Sequence, residues 1–201
     1  MVKGFSTHEK KLIRHQLIEK STELFSIYGL QKTSISQITK KVGISQGTFY
    51  LFFSSKEELF FHVIQVEEDK IKNILQDDLD SPEFSVQDLT NLLLKSLTLI
   101  ENSPVLLTVF EEQTLQQIMR KVSPELLRDH FQKDESLLAP LINRWQKENV
   151  LTNYSIEVIT GALRAFVLLL QHKKEIGEQY FLQTMNFLAK SIANELLRKG
   201  E

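Results

Sequence analysis

Apolar residues recur at intervals of three and four along almost the whole chain, a spacing that places them on one face of successive α-helices. Near the N-terminus the pattern runs through Leu12, Leu17, Leu24 and Tyr28. Residues that interrupt helices are scarce, because the 201 residues include only 7 glycines and 4 prolines. The sequence therefore predicts an all-α fold of about nine helices.

Capping and breaking residues divide the chain into an N-terminal head and a C-terminal body. Ser55 and Glu58 have the spacing of a capping box, which predicts a fourth helix from residue 56 to about residue 76. The acidic stretch from Asp77 to Pro82 follows and predicts a domain boundary. We therefore expect a three-helix head over residues 1–60 and a helical body over residues 77–201, with the fourth helix connecting them.

Prolines and glycines set the expected limits of the helices in the body. Pro104 and Pro124 are predicted at first helical positions, where the missing N–H has no partner to lose. Pro140 lies inside a predicted helix and is expected to kink or split it. Gly177 separates the last two helices and Gly200 follows the final one. The predicted helices cover about residues 86–101, a segment from 104, and 124–148, 154–174 and 178–199, with a turn at 149–153.

Two short capped helices are predicted in the stretch from Thr33 to Leu59. Ser34 and Gln37 have capping-box spacing at the start of one helix, and Ser45 can cap the next, from Gln46 to about Phe52. Gly43 lies between them, where the chain must reverse within a few residues. This arrangement is a helix-turn-helix, in which the first helix crosses the DNA backbone and the second enters the major groove.

The exposed faces of these helices carry side chains suited to DNA. Gln46 can pair with adenine through two hydrogen bonds, and Thr48 can bind a base edge or touch a thymine methyl group. Tyr50 can donate to a phosphate, and Lys56 can bind one at the start of the fourth helix. The predicted DNA-binding residues are Lys32, Ser34, Ser36, Gln37, Ser45, Gln46, Gly47, Thr48, Tyr50 and Lys56.

The charge of the chain is unevenly distributed. Residues 1–60 hold nine Lys or Arg and five Asp or Glu, a balance of +4, whereas the remainder holds 15 and 21, a balance of −6. A basic head on an acidic body is typical of a local nucleic-acid-binding surface. A chance distribution of surface charges could also give a positive head and a negative body, and this alternative stays open.

The head resembles the TetR/AcrR family of helix-turn-helix transcriptional regulators. The matching residues are Leu24, Phe25, Tyr28, Gly29, Thr33, Ile35, Ile38, Gly43, Ile44, Ser45, Gly47, Thr48, Tyr50, Phe53, Lys56, Glu57 and Leu59. The resemblance implies homodimers that bind palindromic double-stranded operators, usually as repressors, and release them when a small molecule fills the body. Beyond residue 60 it is one of length and helical content.

Four residues depart from the pattern of the family. Thr39 and Val42 stand where small residues are usual, and Ser54 replaces a frequent proline. Phe52 stands where the family often has a histidine that touches phosphate, so one backbone contact is expected to be missing.

The last two helices carry apolar stripes, for which two readings stay open. The resemblance implies that these helices pair with their copies in a dimer, whereas the alternative is that the stripes form monomer core. The stripes are Ile156, Ile159, Leu163, Phe166, Val167 and Leu170, then Phe181, Leu182, Met185, Leu188, Ile192 and Leu196.

An effector pocket is expected among the helices of the body. Because the candidate walls are mostly apolar, we expect an apolar effector. The candidate residues are Phe110, Glu111, Met119, Phe131, Leu138, Trp145 and Phe166.

Several other classes of function are not expected. The chain has no cysteine, its five histidines are scattered, and it lacks the motifs of metalloproteases, α/β-hydrolases and nucleotide-binding loops. We therefore expect no enzyme activity, metal or cofactor. No signal peptide or membrane span is recognised, which predicts a cytoplasmic protein. Two alternatives remain, a DNA-bound structural or interaction protein without an effector and a helix-turn-helix reused for protein contacts.

Overall fold

The computed structural model describes residues 5–79 and 84–197, and every regular element in these ranges is helical. This confirms the predicted all-α class. The helices are α1 (Thr7–Lys32), α2 (Ile35–Val42), α3 (Gln46–Phe49), α4 (Lys56–Leu79), α5 (Val86–Glu101), α6 (Pro104–Val109), α7 (Glu112–Lys121), α8 (Pro124–Lys147), α9 (Ile156–Leu168), α10 (Lys173–Ile176) and α11 (Phe181–Leu196). A 3₁₀ turn, Leu169–His172, joins α9 to α10.

Several helix limits differ from the predictions. α1 is kinked at Gly29, whose φ of 69° and ψ of 177° are not helical. α8 continues through Pro140 to Lys147 and is not split. The helix expected over 154–174 ends at Leu168, which gives more helices than the nine expected. The predicted domain boundary over residues 77–82 lies partly outside the described residues. The predicted end of the final helix near Gly200 lies outside them.

The chain divides into two compact units, and the first comprises Met1–Asp69 with Ser103–Ser123. Its core is aromatic. The rings of Phe25 and Phe60 meet edge to face at 4.8 Å between centroids, while Phe49 and Phe53 lie 6.1 Å apart. All four side chains are buried; the first pair joins α1 to α4, and the second joins α3 to the turn that follows it.

The second unit comprises Lys70–Asn102 with Pro124–Glu201. In it α11 packs against α5, and the small residues Ala189 and Ala193 on the buried face of α11 allow close approach. Trp145 is buried and stacks on Phe84 with 4.5 Å between ring centroids. Within the described ranges, no helix is both long and apolar enough to cross a membrane.

These units differ from the predicted division at residues 60 and 77. The division falls within α4, between Asp69 and Lys70, and α6 and α7 belong to the first unit. The reason is long-range packing, since α6 packs against α1. The functional assignment of the head and the body stays a prediction.

The apolar stripes of the last two helices are mainly monomer core. Phe181, Met185 and Leu196 on α11 are buried within the second unit, as are Ile159 and Phe166 on α9. Only Leu182 of the predicted stripes is largely exposed. The stripe residues as a set are therefore not a free dimerisation surface, because they hold α9 and α11 in their own protomer.

Candidate nucleic-acid interface

Local hydrogen bonds at their first turns fix the two short helices of the head. Ser34 Oγ accepts from the Gln37 amide at 3.2 Å, and Gln37 Oε1 accepts from the Ser34 amide at 2.8 Å. Ser45 Oγ likewise accepts from the Thr48 amide at 3.0 Å and lies 2.9 Å from Thr48 Oγ1. These bonds satisfy amides that a helix start leaves without partners, and they confirm both predicted caps.

The turn between the two helices depends on Gly43. Its φ of 82° and ψ of 29° are left-handed, and its amide donates to Thr39 O at 2.9 Å. A Cβ at Gly43 would meet no atom within 4 Å, so the glycine is needed for backbone conformation rather than for space. Gly43 thereby sets the angle at which α3 leaves α2.

α3 presents an exposed edge followed by a turn that is partly apolar. Gln46 and Gly47 are exposed, and the Tyr50 side chain is 56% exposed, with its ring edge-on to buried Phe49 at 5.3 Å. Leu51 is 70% exposed, and the sequence analysis did not single it out. The sequence did contain a sign of this exposure, because Leu51 is an apolar residue that does not share the helical spacing of the buried Phe49 and Phe53.

A concave surface forms where the end of α1 and the starts of α2 and α4 meet the α3 segment. It includes six of the ten predicted DNA-binding residues, which are Lys32, Ser34, Ser36, Gln46, Tyr50 and Lys56. Gln37, Ser45, Gly47 and Thr48 do not line it, although the first three are exposed and Thr48 is half-buried. The surface is rich in hydroxyl, amide and ammonium groups, which are the donors that phosphates accept from.

Lys56 forms hydrogen bonds within the protein, in addition to the phosphate contact expected from the sequence. Its Nζ donates to Leu30 O at 2.6 Å and to Thr33 O at 2.8 Å, at the C-terminal end of α1. Helix C-termini carry carbonyls without partners and a partial negative charge, so an ammonium is favoured there. Burial lowers the pKa of Lys56 from its ordinary value. An ammonium has three donors, which leaves one for a phosphate.

Lys56→Ala is expected to destabilise the protein as well as weaken DNA binding. The substitution leaves two carbonyls without donors, and the expected loss is about 1–3 kcal/mol in the free energy of unfolding. Chemical denaturation measures this loss. Lys32→Ala is the matched control, because Lys32 is exposed on the same surface and its ammonium has no hydrogen bond with any described residue. Equal stability of Lys56→Ala and wild type would show that the carbonyl contacts contribute nothing.

The departures from the family pattern have local explanations. Thr39 is buried, and its hydroxyl donates to Ser36 O at 3.2 Å, so the extra polar atom is satisfied within α2. Glu58 accepts from the Ser54 amide at 2.7 Å, while its own amide donates to Ser55 Oγ at 3.0 Å. The predicted capping box is therefore completed by Ser54 rather than by the Ser55 amide. Phe52 is half-buried.

His62 and Arg14 contact each other beside the buried ring of Phe53. Arg14 Nη2 lies 3.2 Å from His62 Nε2, and the guanidinium carbon lies 4.9 Å from the centroid of the Phe53 ring. Burial, and next the positive charge of Arg14, lower the pKa of His62, whereas Gln65 and Glu58 act in the opposite direction. A neutral His62 can accept from Arg14, and a protonated one cannot.

Stability is expected to fall as the pH drops below the ordinary histidine pKa of 6.5. Because the pKa of His62 is lower in the folded state, the unfolded chain binds the proton first, and stability is lost between 6.5 and that lower value. His62→Gln should flatten this part of the profile. The denaturation midpoint is measured from pH 8 to pH 5 for both proteins. The difference between the two profiles isolates the contribution of His62, because both proteins keep every other histidine. Parallel profiles would contradict the assignment.

α7 contacts the edge of the concave surface through Gln117, which the sequence analysis missed. Gln117 Oε1 accepts from Gln31 Nε2 at 2.5 Å, and Gln117 Nε2 donates to Glu57 Oε1. The end of α1 and the start of α4 are therefore joined through one side chain of α7. Sequence separations of 86 and 60 residues leave no local signal for these contacts.

The candidate effector residues fall in both units. Phe110, Glu111 and Met119 belong to the first, with Glu111 and Met119 exposed. The second holds buried Trp145 and Phe166 together with half-buried Phe131 and Leu138. The contacts described within each unit do not join the seven residues into one site.

The head matches a known family of DNA-binding regions. Residues 17–63 match the family model described as bacterial regulatory proteins of the tetR family. The head of the chain is therefore similar to the DNA-binding region of TetR-family regulators. The match covers the helix-turn-helix, with its caps and its Gly43 turn.

Curated transcriptional regulators are similar to part of the chain. The chain is 42% identical over 73 residues to YvdT of Bacillus subtilis (strain 168), an uncharacterised helix-turn-helix-type transcriptional regulator; this is 32% of the chain and 36% of YvdT. The chain thus spans well under half the length of that curated relative, and a second regulator from the same strain is matched over 42% of its length.

Two solved structures are similar to the chain over nearly its whole length. A TetR-family transcriptional regulator from Pectobacterium atrosepticum superposes with a TM-score of 0.75 at 17% identity, over 98% of this chain and 100% of that one. RolR, solved in complex with its ligand resorcinol, gives a TM-score of 0.62 at 18% identity, over 96% of this chain and 98% of RolR. At these identities the likeness establishes the TetR-family fold alone.

Proposed function

We propose that this protein is a sequence-specific DNA-binding transcriptional repressor, released from a palindromic operator by a small-molecule effector. The observation that carries the proposal is the capped helix-turn-helix with Gln46, Gly47 and Tyr50 exposed beside a concave surface of phosphate-binding groups. Lys32, Ser34 and Ser36 extend that surface to the neighbouring helices. The protein acts by binding rather than by catalysis.

The operator is double-stranded DNA, and each of the predicted residues contacts a particular part of the duplex. The α3 segment enters the major groove, where Gln46 and Thr48 read base edges. Ser34, Ser36, Gln37 and Lys32 bind phosphates at the start of α2 and the end of α1. Ser45 acts through its cap, and Gly47 allows close approach of the backbone. Leu51 adds an apolar contact to the same groove.

The working unit is a homodimer formed by the last two helices, through apolar residues that are exposed in the protomer. Phe187 and Leu182 on α11 are 71% and 75% exposed, and Val158 and Leu168 on α9 are exposed as well. Gly161 lies between those two along α9, and a Cβ there would meet nothing within 4 Å. Exposed large apolar residues beside a small one favour close packing of a second helix pair.

An effector bound by the body would control release. The head, residues 1–60, binds the operator, while the body, residues 77–201, holds the effector and the dimer contacts. RolR holds resorcinol within the same fold, which supports a small ligand here. The candidate walls in the second unit are Phe131, Leu138, Trp145 and Phe166.

Selection from a random pool of duplexes at near-physiological salt, followed by sequencing, tests the proposal. An enriched motif with two-fold symmetry is the expected result, because a symmetric dimer places two identical heads on one duplex. A folded dimeric sample that enriches no motif would refute sequence-specific regulation. It would favour use of the helix-turn-helix for protein contacts.

A further inference from the structure

Arg164 on α9 has an unusual environment for a cation in the second unit. Its guanidinium carbon lies 4.1 Å from the centroid of the Phe131 ring on α8. The side chain is half-buried, and no carboxylate of the described residues forms an ion pair with it. The aromatic face therefore holds a guanidinium whose hydrogen-bonding edge has no acidic partner there.

The surroundings of Arg164 are positive. The charged groups acting on neighbouring His130 are the cations of Lys72, Arg164 and Lys133 and a single carboxylate, Asp134. That carboxylate is already bound by Lys72, with 2.6 Å between Nζ and Oδ1. Burial lowers the pKa of His130, whereas the carboxylate of Asp134 acts in the opposite direction. The cluster favours the approach of an anion.

A second cation of the same unit provides a contrast. Lys173 also lies over an aromatic ring, that of Phe181, with 5.4 Å to the centroid. It is exposed, and it pairs with Glu101 at 3.1 Å. A stacked cation in this body therefore need not lack a carboxylate, and Arg164 differs from Lys173 in that respect.

We propose that Arg164, held by Phe131, binds the carboxylate of an amphipathic organic acid in the body. This inference rests on the proposed function and narrows the effector class from apolar to apolar with one acidic group. A guanidinium can bind a carboxylate through two parallel hydrogen bonds, and a ring on one face keeps water from that side. The apolar part of the acid would lie along Phe131 and its neighbours.

Calorimetric binding of matched pairs of acid and primary amide to the full-length protein tests this inference. The probes are benzoate with benzamide, octanoate with octanamide and dodecanoate with dodecanamide, at constant ionic strength. The acid of at least one pair should bind about tenfold or more tightly than its amide. Arg164→Gln should remove that preference, Arg164→Lys should keep part of it, and Lys173→Gln should leave it unchanged.

Two results would overturn the inference. One is the absence of acid preference in every pair, and the other is an unchanged preference in Arg164→Gln. Binding of the selected duplex without probe is measured in parallel and separates this inference from the proposed function. Arg164→Gln should bind DNA like wild type, so loss of acid preference with intact DNA binding supports the inference. A wild type that binds no duplex argues against the proposed function instead.

Discussion

The double variant Leu182→Glu with Phe187→Glu is expected to be monomeric and to bind its operator on the order of 100-fold more weakly than wild type. Both side chains are more than two-thirds exposed in the protomer, so glutamate there costs little within the monomer. In the proposed dimer the two carboxylates would be buried without partners on each protomer. Loss of the dimer uncouples the two heads, and each half-site is then bound alone.

Sedimentation velocity gives the oligomeric state, and fluorescence anisotropy with the selected duplex gives the affinity. Leu137→Glu is the matched control, since Leu137 is a 55% exposed leucine of the same unit on α8. It should remain dimeric and bind DNA normally. If the double variant stayed dimeric, the interface would lie elsewhere.

The local features of the head were predictable from sequence because short-range contacts decide them. The Ser34 and Ser45 caps, and the left-handed turn at Gly43, each depend on residues within five positions. Ile38 and Phe49, the residues that turn these two short helices toward the core, are both buried. The exposed DNA-binding residues could be predicted as well, because they lie on the sides of these helices that face away from the core.

Contacts between distant residues escaped prediction. The association of α6 and α7 with the first unit depends on packing against α1 and on Gln117, which has no sequence signature. Lys56 was expected to meet only phosphate, since nothing in the sequence shows that α1 ends within its reach. The effector residues were chosen by apolar character alone, and apolar character does not specify which helices converge.

The last two helices show a further limit of periodicity. On α11, Phe187 lies on the face opposite to the buried Met185 and Ala189, whereas Leu182 has the same helical spacing as those buried residues and is still 75% exposed. A spacing of three and four therefore identifies a face but does not say which of its residues are covered within the protomer. The sequence stripe combined Leu182 with the buried face, and only the fold separates them.

Replacing Gln46 by alanine is expected to change which sequences the protein prefers. A paired hydrogen-bond contact to a base contributes about 1–3 kcal/mol of discrimination, and a dimer makes it twice. Combined with Tyr50→Ala, which removes a phosphate contact, binding to the selected operator should fall on the order of 1000-fold. Neither side chain forms a hydrogen bond with the described residues, and both are exposed, so the fold should be unaffected.

Lys32→Ala separates base reading from phosphate binding. It should weaken binding to all duplexes alike and reduce the slope of log affinity against log salt by about 0.9 for each phosphate that the variant no longer neutralises. Gln46→Ala should leave that slope unchanged and alter the enriched motif at one position in each half-site. Anisotropy titrations over a range of salt, with repeat selection on each variant, distinguish the two effects. An unaltered motif for Gln46→Ala would mean that a different side chain, such as exposed Leu51, reads the bases at that position.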